Sequence, residues 1–198
     1  MKQAYRDKGK EILSEILEVK AESLAGSLNY LLFGGGRVST QSLYIKIGRN
    51  FEKWFKFIVE DSGLELLPDG VVKDVIGGKS KDIDLIFKNE ETKTIHYREL
   101  KSNLELDTEK LPATYEKIAK ITEYLEREYE GYEIDSSVLH WSVFEPSILP
   151  NKYKGKIRQF TINGVGVSYP VDLFDILSAD ITNVDYHDYF REIGDLCK

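Results

Sequence analysis

The sequence predicts an α/β domain built on a central mixed β-sheet flanked by helices, preceded by an N-terminal helical segment. Three observations carry this expectation. Apolar residues recur three and four apart over the first sixty residues. Runs near 82–88 and 94–101 are short, β-branched and aromatic, with a polar loop between them. A further helical pattern then separates them from another apolar run at 138–144, the order expected of a strand–helix–strand crossover.

In order along the chain, residues from about 3 to 32 read as helix, with Ile12, Leu13, Ile16, Leu17, Leu24, Leu28 and Leu31 forming one stripe and Gly34-Gly35-Gly36 ending it. Ser39 or Thr40 can cap a second helix over roughly 41–61, whose buried face carries Leu43, Ile47, Phe51, Trp54, Phe55 and Ile58, with Gly63 closing it. Leu64-Glu65-Leu66-Leu67 leads into a turn at Pro68-Asp69-Gly70, and Gly77-Gly78 makes another. The strands at 82–88 and 94–101 are joined by Asn89-Glu90-Glu91. Leu111, Tyr115, Ile118, Thr122 and Leu125 mark a third helix, started near Thr108 or Pro112 and stopped by Gly131. Val138 to Phe144 is expected to lie beside the Glu99 strand as its crossover partner. Ile157–Ile162 and Val165–Tyr169 flank Asn163-Gly164, which predicts a β-hairpin. Short helices over 171–178 and 184–196 finish the pattern, without internal repeats or low-complexity segments.

With 198 residues, 41% hydrophobic and 31% charged, the chain is expected to fold as a single domain over 1–198. No apolar run approaches the roughly 18 residues of a membrane span, so no membrane partner is expected. The charged N-terminal stretch lacks a signal-peptide core, and the single Cys197 cannot form an internal disulfide; both point to the cytoplasm. The net charge of −7 argues against a dedicated nucleic-acid binder. Basic residues nevertheless cluster, as Lys46, Arg49, Lys53 and Lys56 along one helix and as Lys152, Lys154, Lys156 and Arg158.

The chemistry concentrates in Asp82-Ile83-Asp84-Leu85-Ile86-Phe87 and Tyr97-Arg98-Glu99-Leu100-Lys101. The strand period of two places Ile95, Tyr97, Glu99 and Lys101 on one face. Burying an Asp, a Glu and a Lys at the end of two central strands conflicts with simple core packing, and such conflicts mark functional sites. Asp84 and Glu99 offer the hard oxygens Mg²⁺ prefers, and Lys101 can stabilise charge building on a phosphorus centre or assist deprotonation of a water.

Asp84-Leu85-Ile86-Phe87 followed by Glu99-Leu100-Lys101 resembles the PD-(D/E)xK nuclease superfamily, and especially type II restriction endonucleases. Ile83 stands where that family's pattern has proline, and Asp82 is the rival first ligand. The resemblance covers about residues 45–130. It implies a restriction-endonuclease-like fold, Asp84 and Glu99 as metal ligands for Mg²⁺, and Lys101 as catalytic lysine. The family often carries a further Glu on the helix before the sheet, for which Glu52, four residues after Gly48, is the candidate. The implied activity is sequence-specific hydrolysis of double-stranded DNA, with a homodimer expected because cutting both strands needs two sites. Lys46, Arg49, Lys110 and the 152–158 cluster are the candidate phosphate contacts, and the Asn163-Gly164 hairpin and the 145–156 loop the candidate base readers. The alternatives are a structure-specific nuclease, such as a Holliday-junction resolvase or repair nuclease, and a non-catalytic nucleic-acid or protein interaction module.

Other motifs carry less. Gly78-Lys79-Ser80 mimics the end of a phosphate-binding loop, but Lys73 occupies its first glycine position. His96, His140 and His187 lack metal-ligand spacing, and Trp54 and Trp141 are expected in the core.

Overall fold

The computed structural model describes residues 1–17, 40–68, 70–72, 81–104, 110–149 and 154–197. Its elements are α1 (Gln3–Leu17), α2 (Thr40–Asp61), β1 (Glu65–Leu66), β2 (Gly70–Val72), β3 (Lys81–Ile83), β4 (Leu85–Asn89), β5 (Thr94–Lys101), α3 (Lys110–Glu128), β6 (Glu133–His140), α4 (Lys154–Ile162), β7 (Gly166–Ser168), α5 (Pro170–Ile176) and α6 (Asn183–Leu196). The predicted helix extension to residue 32, the glycines at 34–36 and 77–78, and Lys152 lie outside the described residues. Among the described residues, no helix is long and apolar enough to cross a membrane.

The chain divides into two compact units, a helical one of Met1–Phe55 with Val184–Lys198 and a sheet one of Lys56–Asn183. In the helical unit the core is aromatic. Trp54 stacks on Tyr189 at 4.6 Å and Phe51 on Phe190 at 4.5 Å between ring centroids, while the Trp54 indole N–H donates to the Tyr5 carbonyl. Gly9 makes room for this packing, since a Cβ there would sit 1.8 Å from the Tyr189 hydroxyl oxygen.

The sheet unit holds a five-stranded mixed sheet in the order β1-β4-β5-β6-β7, with β2 and β3 as a separate antiparallel pair. β4 and β5 form a hairpin with Leu85 opposite Arg98 and Asn89 opposite Thr94. Its turn is set by Asn89, whose side-chain oxygen accepts the backbone N–H groups of Glu91 and Thr92. β6 runs parallel to β5, with Glu99 beside Val138 and Lys101 beside His140, and α3 is the crossover that parallel pairing requires. The front face buries Ile86, Ile95, Tyr97 and Val138 against Ile118, Ile121 and Leu125 of α3 and Phe160 of α4. Fully buried Ile121 illustrates the scale: truncation to alanine at such a site costs about 2–5 kcal/mol.

Three expectations are corrected. The strand placed at 138–144 instead spans Glu133–His140, because its polar first half has partners: Asp135 faces His96 and Arg98, and the Ser136 hydroxyl accepts from Thr122. The strand placed at 82–88 breaks at Asp84, where the chain bends between β3 and β4. Asn163-Gly164 closes a helix rather than a hairpin. Ile157 and Phe160 pack at helical spacing against the front core, and Gly164 takes φ +74°. Its N–H bonds the Thr161 carbonyl, and the N–H of Val165 returns to the carbonyl of Phe160. A glycine in the left-handed region serves a helix end as well as a two-residue turn. β7 then pairs parallel to β6.

Candidate active site

The front face of β5 ends in charge. Glu99 and Lys101 project from alternate positions of the last strand turn, and Asp84 reaches the same place from the bend before β4. The bend is held by the site itself, because one Asp84 carboxylate oxygen accepts the N–H of Leu100 at 2.9 Å. That bond fixes Asp84 against the backbone between Glu99 and Lys101. Asp82, its rival, lies exposed on β3.

Glu99 is the most enclosed member, with its side chain 3% exposed. One of its oxygens accepts the Lys101 ammonium at 2.7 Å. The other accepts the Tyr97 hydroxyl at 3.1 Å and pairs with the Lys117 ammonium at 2.5 Å. Lys117, from α3, also approaches Asp84 at 3.7 Å, so one ammonium spans both carboxylates. Lys101 keeps 28% of its side chain exposed and is the group at the open edge of the cluster.

The two carboxyl groups respond oppositely to this setting. Burial, reinforced by the neighbouring Glu99 charge, pushes the Asp84 carboxyl up to about 6. Burial works on Glu99 in the same sense, but the ammoniums of Lys101 and Lys117 overcome it and hold that carboxyl below the ordinary value. Tyr97, buried beside both carboxylates, is raised and stays a neutral donor. His140, next to Lys101 in register, is also buried, and desolvation lowers its pKa; its Nε2 lies 3.2 Å from the Ser142 hydroxyl.

Asp84, Glu99 and Lys101 are thus brought together as the sequence spacing predicts. Glu52 is half-buried on α2 in the helical unit, outside the sheet-unit residues that form the cluster. A Cβ at Gly48 would meet nothing within 4 Å. Among the described residues no group of three or more His, Cys, Asp or Glu side chains converges, so the carboxylate donors here number two. The donor chemistry would suit Mg²⁺: both carboxylates offer hard oxygens, and the point between them already attracts a cation, the Lys117 ammonium.

Sequence reasoning missed Lys117 and the Tyr97 hydroxyl. Lys117 had a signal, because it falls three residues after buried Thr114 and four before buried Ile121, within the apolar stripe of α3. A lysine inside a buried stripe requires a counter-charge, and Glu99 supplies it. No protein-family model and no curated protein matches the chain.

Proposed function

We propose that this chain is a Mg²⁺-dependent endodeoxyribonuclease that hydrolyses phosphodiester bonds of double-stranded DNA at a specific sequence, in the manner of type II restriction enzymes. One observation carries the reading: the buried Glu99 carboxylate on β5 and the partly buried Asp84 carboxylate from the bend before β4 converge with the partly exposed Lys101 at the end of β5. A structural ion pair needs no second carboxylate beside the first, and the upward displacement of Asp84, caused by burial and by the Glu99 charge, supports a functional site.

In this reading Asp84 and Glu99 would hold the ion, which would supply Lewis-acid chemistry to water and phosphate. The Leu100 N–H fixes the orientation of Asp84 and the Tyr97 hydroxyl that of Glu99, so neither carboxylate must reorganise during reaction. Lys101 turns its ammonium towards the scissile phosphate and stabilises the charge that develops there. Cutting both strands then calls for two copies of the chain, each with one site.

Incubation with Mg²⁺ and a long double-stranded DNA tests the proposal. Discrete fragments of reproducible length support it. Cleavage confined to branched DNA replaces it with a structure-specific nuclease. Binding without cleavage, under Mg²⁺ and Mn²⁺ alike, overturns the enzymatic reading in favour of an interaction module.

A further inference from the structure

We infer that Lys117 is a positioning residue that acts as a place-holder cation: its ammonium occupies the carboxylate pair until a divalent ion enters, and then leaves the pair for the phosphate of the bound DNA. The inference rests on the metal-dependent reading above and adds to it a coupling between metal and substrate.

The argument is one of charge. Asp84 and Glu99 bring two negative charges, and Lys101 and Lys117 bring two positive ones, so the resting cluster is neutral. A divalent ion added to this arrangement would leave two positive charges in excess within a few ångströms. Like charges at that separation in a partly buried site repel strongly. Neutrality returns only when an ammonium withdraws and a phosphate arrives. Lys117 is the group placed to withdraw. It alone spans both carboxylates, whereas Lys101 bonds only Glu99, its neighbour on the same strand. It is also carried by α3 rather than by either ligand-bearing strand, so its movement leaves the strand register untouched.

Two consequences follow. Divalent ions must displace an ammonium to bind the DNA-free protein, so they bind weakly there. Duplex DNA offers that ammonium another anion, so it raises metal affinity, and by linkage the metal raises DNA affinity by the same factor.

The test is Mn²⁺ binding to the intact chain, measured calorimetrically without DNA. Lys117→Met should tighten Mn²⁺ by about tenfold or more, since one competing positive charge is gone. Lys117→Arg, which keeps the charge, should stay within about threefold of the unaltered protein. Ca²⁺ titrations with and without a duplex fragment should show a DNA-induced gain in metal affinity that shrinks in Lys117→Met. Lys117→Gln serves as a second neutral variant should the methionine not fold. Unchanged or weaker Mn²⁺ binding in a folded neutral variant overturns the place-holder role and leaves the nuclease reading standing. No divalent-ion binding by any form, the unaltered chain included, with or without the duplex fragment, overturns both.

Discussion

The two faces of β5 both bury charge, yet they bury it in opposite ways. On the reverse face, Arg98 is 2% exposed and donates to the carboxylate and main-chain carbonyl of Asp135 and to the carbonyl of Tyr97. His96 bonds the same carboxylate at 2.8 Å and lies stacked on Phe87. There one carboxylate meets a rigid guanidinium anchored to backbone, and Asp135 is held well below the usual range by His96 and Arg98 despite its partial burial. On the front face, two carboxylates share two flexible ammoniums, and Asp84 is driven up instead. Asp84 is the odd one out, raised where both its neighbour Glu99 and Asp135 are lowered by their cationic partners. A carboxylate whose cations outweigh its burial is held ionised, whereas one buried beside a second carboxylate is pushed towards its neutral form.

Substitutions on each face can break or sharpen this contrast. The largest effect is expected at Lys101. Lys101→Ala should lower DNA cleavage about 10²–10³-fold, the scale for removing one stabiliser of developing charge. Retained DNA binding and a thermal midpoint within a few degrees would place the loss in the chemistry, and near-normal turnover would remove Lys101 from the mechanism. Next, Asp135→Ala should cost roughly 2–3 kcal/mol of stability in denaturant titration, because it leaves the Arg98 guanidinium buried and unpaired. The figure sits below the full range for broken buried pairs, since the Asp135 side chain is 40% exposed. Activity per folded molecule should persist, and a parallel loss of cleavage would erase the distinction between the faces.

Asp84 gives an intermediate effect with a sign opposite to ordinary acid denaturation. Its folded pKa lies above the unfolded value of about 4, so the folded state binds the proton more tightly. Stability from this group is full below pH 4 and is lost as pH rises through about 6. Unfolding of the unaltered chain and of Asp84→Asn, compared at pH 5 and pH 7, should show the variant gaining relative stability at pH 7 by about 1–2 kcal/mol. An equal gap at both pH values would mean Asp84 is not strained. Asp135 supplies the converse, with stability present above pH 4 and lost as pH falls below it. The smallest effect should come from His96→Phe, which keeps a ring against Phe87 and removes one hydrogen bond to Asp135, at about 1 kcal/mol by thermal or denaturant unfolding.

How far these faces could be foreseen depends on what local sequence encodes. Alternation assigned Glu99 and Lys101 to one face and His96 to the other, because a strand's period is geometric and needs no tertiary information. Choosing Asp84 over Asp82 was also legible, since the apolar run starts just after it. The start of β6 was not, because Glu133, Asp135, Ser136 and Ser137 look like loop until their partners on β5 and α3 are known. Asn163-Gly164 encodes a left-handed residue, and whether helix or strand precedes it is decided by Phe160 packing into a distant core. Lys117 lies 18 positions after Glu99, on the crossover helix itself, so only the docked α3 reveals that it completes the cluster.

The parallel pairing of β5 with β6 sets when this chemistry can come into being. A hairpin of β4 and β5 closes locally and quickly, bringing Asp84 and Glu99 face to face, while β6 must wait for the 31 residues between Lys101 and Glu133 to wrap round. Within that hairpin Glu99 already has Lys101, but the ammonium that spans both carboxylates arrives only with α3. Pulse labelling during refolding should find the Leu100 amide, bonded to Asp84 beside the hairpin, protected before the amides of β6. The four-residue cluster is therefore complete only when the crossover helix has docked.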